Sequence, residues 1–152
     1  MSSFYHVVNT IANTSGVYQS SDYQLTDDKT GAPISDRAGS KQFQASFRDL
    51  DLRLAFTGVA IGRLGGPRTV DLLSQELQAL PQDSKFQDVC DALAKRCDAI
   101  TRRFGSRGIL EVVVTAATVA EPFRVAIVTN ANRDTDPLRA KFPFRISESL
   151  SI

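Results

Sequence analysis

The chain opens on short β-prone runs rather than on helical periodicity. Phe4 to Ala12 (FYHVVNTIA) is rich in β-branched and aromatic residues and predicts a first strand. Asn13-Thr14-Ser15-Gly16 supplies turn chemistry and Val17-Tyr18-Gln19 resumes the β-prone pattern, so strands one and two are expected to form a hairpin. A polar stretch follows, with Asp27-Asp28, Gly31-Ala32-Pro33 and Ser35-Asp36 as turn signals. The third strand is expected over Lys41 to Phe47. Arg48-Asp49-Leu50-Asp51 turns the chain, and Leu52 to Ile61 (LRLAFTGVAI) reads as a fourth strand, apolar enough to lie centrally. Gly62 to Pro67 breaks the pattern.

The period then changes to that of a helix. Val70, Leu73, Leu77 and Leu80 recur at helical spacing behind Thr69, which is positioned as an N-cap, and Pro81 ends the segment. Ser84 with Gln87 has capping-box form. Phe86, Val89, Cys90, Leu93, Cys97, Ile100 and Phe104 then mark one face of a second helix, stopped by Gly105 and Gly108. Ile109 to Ala117 (ILEVVVTAA) and Phe123 to Asn130 (FRVAIVTN) predict two further strands joined by a turn at Glu121-Pro122. From Arg133 onward the chain is polar apart from Leu138 and Phe142-Pro143-Phe144, and the pattern assigns that tail no definite element.

Strands, then a helical pair, then strands again exclude a doubly wound parallel sheet, which needs single strands and helices in alternation. The order fits an α+β layer protein with two antiparallel sheet blocks separated by the helices. A length of 152 residues is that of one domain, 1–152. A net charge of +1 lacks the basic excess of a nucleic-acid-binding surface. No run approaches the roughly 18 apolar residues of a membrane span, and the N-terminal MSSFYHVVNTIANTSG has neither a basic flank nor a long apolar core, so no membrane segment or secretory signal is expected. Cys90 and Cys97 would lie about 10 Å apart along one helix, too far for a disulfide, which points to a reducing, cytoplasmic compartment.

Most chemical motifs are missing from the sequence. There is no CxxC pair, no HExxH, no GxxxxGK[ST] and no GxGxxG between strand and helix, so neither a metal nor a cofactor is expected. His6 is the one histidine, and any Ser-His-Asp or Cys-His arrangement would depend on it alone; in an apolar strand it reads as structural. Gly62 to Gly66 lacks the lysine and threonine of a phosphate cradle. Arg102, Arg103 and Arg107 sit at a helix C-terminus, where cations are favoured. What remains is a carboxylate and an ammonium: Asp22 at the end of the second strand and Lys41 at the head of the third, joined by a long reversal. An exposed pair there would contribute about 0–1 kcal/mol; a buried one could be the charged floor of a site.

The hairpin FYHVVNTIANTSGVYQSSDYQLT, the later lysine in GSKQF and the strand LAFTGVAIG resemble the front half of proteasome β-type subunits and their bacterial relatives, members of the N-terminal nucleophile (Ntn) hydrolase superfamily. Asp22, Lys41 and Thr57-Gly58 match three of the family's positions, and the helical pair from Thr69 to Phe104 falls in the corresponding place. The resemblance implies a four-layer αββα sandwich, shortened in its second half, and self-association into an oligomer. It also implies a catalytic set: Ser2, N-terminal once Met1 is removed, as nucleophile on a peptide amide; Lys41 lowering the pKa of the attacking group; Asp22 holding Lys41; and the Gly58 N–H donating to the oxyanion. The nucleophile's position, counted back from Gly16, falls at His6. Ser2 lies four residues earlier, ~13 Å along an extended strand at about 3.3 Å per residue. The reading is therefore of a non-catalytic structural or assembly subunit, with an active Ntn amidohydrolase as the alternative.

Overall fold

The computed structural model describes residues 8–13, 16–21, 30, 32, 41–59, 67–118, 123–132 and 136–149. The hairpin forms as its turn chemistry dictates: β1 (Val8–Asn13) pairs antiparallel with β2 (Gly16–Ser21), register Ile11 to Tyr18. β3 (Gln42–Phe47) and β4 (Leu50–Gly58) are joined by a two-residue turn at Arg48-Asp49, shorter than the four-residue turn expected. Two helices follow, α1 (Thr69–Gln78) and α2 (Phe86–Thr101), and a 3₁₀ segment over Arg102–Arg107. β5 (Leu110–Thr118), β6 (Arg124–Asn132) and β7 (Asp136–Ser149) complete the described chain.

The strands on either side of the helices do not form two separate blocks. They make one five-stranded antiparallel sheet in the order β3-β4-β5-β6-β7, and β1-β2 stands apart as a two-stranded sheet. The joint is the pairing of β4 with β5 along nine residues, Leu50 opposite Thr118 through Gly58 opposite Leu110. Both strands bury one row completely: Leu52, Leu54 and Phe56 on β4, and Leu110, Val112, Val114 and Ala116 on β5. Each of the two strands is paired on both sides, so both lie in the interior of the sheet.

That row faces the helices. Leu73 and Leu77 of α1 and Phe86, Val89, Cys90, Leu93, Cys97 and Ile100 of α2 join it in one continuous core with Ala126, Val128 and Phe144. Both helices therefore lie on the same face of the sheet. Of the faces read from the 3.6-residue period, Leu73, Leu77 and the α2 positions through Ile100 are buried, while Val70 and Leu80 are only partly buried and Leu80 falls past the end of α1. Phe104 falls past the end of α2 and is only half-buried.

The caps differ from the expected ones. Arg68 occupies the N-cap position of α1, while Thr69 is its first residue, buried, with its hydroxyl donating to the Val59 carbonyl at 2.6 Å. A side chain held inward in this way ties the helix start to the end of β4 instead of capping free N–H groups. At α2 the N-cap is Lys85, whose backbone N–H donates to the Asp88 carboxylate at 2.8 Å, one residue beyond the Ser84/Gln87 pair. Asp88 also places negative charge in the first turn, where the helix dipole favours it. The tail contains β7, a 14-residue edge strand.

The hairpin lies on the face away from the helices. Gln42, whose row alternates with the core-facing Phe43, donates through Nε2 to the Gln19 carbonyl at 3.4 Å, and Gln19 donates to the Val113 carbonyl at 3.4 Å. Ala55 and Val113, on this second row of β4 and β5, are buried.

Candidate functional site

Of the four residues that the sequence nominates, Lys41 and Gly58 can be placed; Ser2 and Asp22 lie outside the described residues, as do His6 and the Gly62–Gly66 loop. Lys41 immediately precedes β3 and is 1% exposed. Its carbonyl accepts the Phe56 N–H at 3.0 Å, which extends the β3–β4 ladder by one pair. Strand alternation sets Lys41 in the row of Phe43 and Phe47, the row facing the helices, while the adjacent Gln42 points to the hairpin. Burying a lysine is costly unless its ammonium is hydrogen-bonded or paired.

Gly58 ends β4 with φ +105, a conformation that disfavours side chains, and a Cβ there would fall 2.1 Å from the Ile109 carbonyl oxygen. The glycine therefore serves a close approach of β4 to the chain entering β5, sealed by the Val59 N–H bonded to that same oxygen at 3.0 Å. In the β3–β4 ladder the Phe56 N–H reaches β3, so the Gly58 N–H, two residues on, turns to the same side, past the point where β3 begins. Lys41 and Gly58 thus share one end of the sheet, on neighbouring strands.

Sequence reading missed a polar row at this same end. Thr57, Glu111, Thr129 and Arg145 stand in register across β4, β5, β6 and β7. They alternate with the core row and so lie on the hairpin side. Thr129 is buried and its hydroxyl accepts the Ala131 N–H at 3.0 Å; Arg145 donates from Nη2 to the Ala131 carbonyl at 2.8 Å. Within ILEVVVTAA the one charged residue in a central apolar strand was the available signal. Its meaning depends on which residues stand opposite, and only the sheet register supplies them.

The buried Asn130 at the start of the β5–β6 pairing is a clamp. Its Nδ2 donates to the Gly108 carbonyl at 2.7 Å and its Oδ1 accepts the Leu110 N–H at 2.9 Å, so both ends of the amide are satisfied by backbone that has no strand partner there. The thiols are equally structural. Burial pushes Cys90 up to about 12 and raises Cys97 further still, so neither offers a thiolate near neutral pH. A shallow concavity of about 370 Å³ lies on the hairpin side of the sheet beside Gln44, Arg53, Thr115 and Phe123; neither Lys41 nor Gly58 lines it. Among the described residues no group of three His, Cys, Asp or Glu side chains is placed to hold a metal ion. No helix among them is long and apolar enough to cross a membrane.

The fold defines an α+β protein: an antiparallel sheet with a helix pair on one face and a hairpin on the other. No family model matches the sequence, and no curated protein or solved structure matches it either.

Proposed function

We propose that the protein is a non-catalytic, proteasome-subunit-like Ntn-fold domain that acts as a structural subunit of an assembly. The observation that carries this reading is the layering: one face of the five-stranded antiparallel sheet carries both helices, as an outer half of such a sandwich does. The non-catalytic half of the reading is supported by Ser2, which lies four residues ahead of the position that the resemblance gives the nucleophile. The hairpin β1-β2 on the opposite face is the beginning of the second strand layer in an αββα sandwich, and the Gln19 contacts to β3 and β5 support that placement. Two buried free thiols suit a reducing compartment, the cytoplasm.

The second reading is an Ntn amidohydrolase acting on peptide amides with Ser2 as nucleophile, Lys41 and Asp22 as its charged partners and Gly58 as oxyanion donor. It draws on the Gly58 N–H, turned away from β5 at the same sheet end as Lys41. One experiment separates the two: the intact chain, with its N-terminus read by mass, is treated with an electrophile that traps N-terminal serine and assayed on peptide amides. The structural reading expects no adduct and no turnover. An adduct on Ser2, lost in Ser2→Ala, together with turnover lost in the same variant, would reverse the order of the readings. Light scattering tests the assembly half: a mass well above 16.6 kDa is expected.

A further inference from the structure

The two edges of the five-stranded sheet are built differently. β7 carries Lys141, Pro143 and Arg145 at exposed positions. Charge and proline are the means by which edge strands resist pairing with other chains. β3 (QFQASF) has neither.

The hydrogen-bond phase of β3 decides what its edge offers. Because the Lys41 carbonyl bonds to β4, the backbone groups of Phe43, Ala45 and Phe47 also turn to β4, and those of Gln44 and Ser46 turn outward. The next outward group, the Arg48 N–H, is taken by the Gln82 carbonyl at 2.9 Å, which closes the edge at that end. Among the described residues nothing pairs with the outward groups of Gln44 and Ser46. A groove of about 340 Å³ runs beside them between β3 and α1, lined by Gln44, Ala45, Ser46, Ser74, Leu77 and Gln78 among others, with no charged side chain. Phe43 and Ala45, partly buried, close the core at this edge.

We propose that the β3 edge is where a second copy of this chain docks, the two β3 strands joining antiparallel about a two-fold axis at Ala45. The proposal rests on the assembly-subunit reading and names its contact. In this register Gln44 faces Ser46 of the partner subunit and Ser46 faces Gln44 of the partner subunit, each pair exchanging both N–H···O bonds. Ala45 meets its own counterpart as a non-hydrogen-bonded pair, the closer kind at about 4.5 Å between α-carbons, which a methyl side chain tolerates. A two-fold axis sets like residues near like, so charge on this edge would repel itself. β3 and its groove carry none, and that neutrality selects a copy of the same edge over a charged peptide.

The test uses the full chain. Light scattering over a wide concentration range is expected to give twice 16.6 kDa for the unmodified protein. Gln44→Pro removes one outward N–H that the fold itself does not use, and is expected to halve the mass while leaving the circular dichroism unchanged. Gln44→Lys does the same by charge, should the proline variant fail to fold. Ala45→Cys is expected to cross-link the dimer under mild oxidation, which the buried native thiols do not do. An oligomer that survives both Gln44 variants, or a dimer that Ala45→Cys cannot cross-link, overturns this contact and leaves the assembly reading standing. A monomeric unmodified protein overturns both. Slow hydrogen exchange at the Gln44 and Ser46 amides in a monomer would show that another segment of the chain covers the edge, and that also overturns the proposal.

Discussion

Gly58→Ala removes the condition on which β4 and β5 meet. The φ of +105 carries strain for any residue with a Cβ, about 1–3 kcal/mol. The new methyl carbon would also stand 2.1 Å from the Ile109 oxygen, 2.9 Å from its carbonyl carbon and 3.0 Å from the Leu110 Cα, all backbone atoms that cannot rotate aside. Relief requires β5 to retreat by close to an ångström, which breaks the 3.0 Å bond from the Val59 N–H to Ile109, a further loss of about 0.5–1.5 kcal/mol. The expected destabilisation is about 2–4 kcal/mol. With a urea slope of about 1–3 kcal/mol per molar, the unfolding midpoint should fall by roughly 1–2 M. Gly105→Ala isolates the backbone part of the cost: its φ of +57 with ψ of −138 disfavours any Cβ by about 1–3 kcal/mol, but nothing lies within 4 Å of the added carbon. Equal losses for the two variants, or a Gly58→Ala midpoint within error of the parent, would refute the close-approach argument.

Three further outcomes follow from the core. Leu93→Ala, at a fully buried position of α2, is expected to cost about 2–5 kcal/mol in urea unfolding; a loss below 1 kcal/mol would place Leu93 outside the core. Asn130→Ala leaves the Gly108 carbonyl and the Leu110 N–H buried without partners and is expected to cost about 2–4 kcal/mol, whereas a near-neutral result would mean that the clamp is dispensable. The Cys90 thiol is raised from 9.0 to about 12 in the fold, so the unfolded chain loses this proton first as pH rises. The sign is therefore negative: this contribution is intact below pH 9 and declines as pH rises from there toward 12, by up to about 1.4 kcal/mol per pH unit. Unfolding midpoints compared for the parent and Cys90→Ala between pH 8 and 10.5 measure it, and parallel pH profiles would disprove it.

The amino-acid sequence by itself determined the elements whose signal is local. Leu73, Leu77, Phe86, Val89, Cys90, Leu93, Cys97 and Ile100 repeat at the helical period, and every one is buried, because a helix laid on a sheet can hide only one stripe. The apolar content of LRLAFTGVAI marked β4 as an interior strand, although Arg53 on its hairpin-facing row is exposed. The strand in the tail was not legible: Pro143 interrupts the run and Lys141 and Arg145 flank it, features that suit an edge and look like loop until the partner strand is known. Tertiary structure alone decided that β4 and β5, separated by the whole helical pair, lie side by side, since that pairing is long-range and no local pattern encodes it. The same register decided the candidate site. It sets Lys41 on the helix-facing row one residue from the hairpin-facing Gln42, and aligns Thr57, Glu111, Thr129 and Arg145 from four separate strands. In a strand with a two-residue period, a shift of one position moves a charge from one face to the other, and only the partner strands specify which.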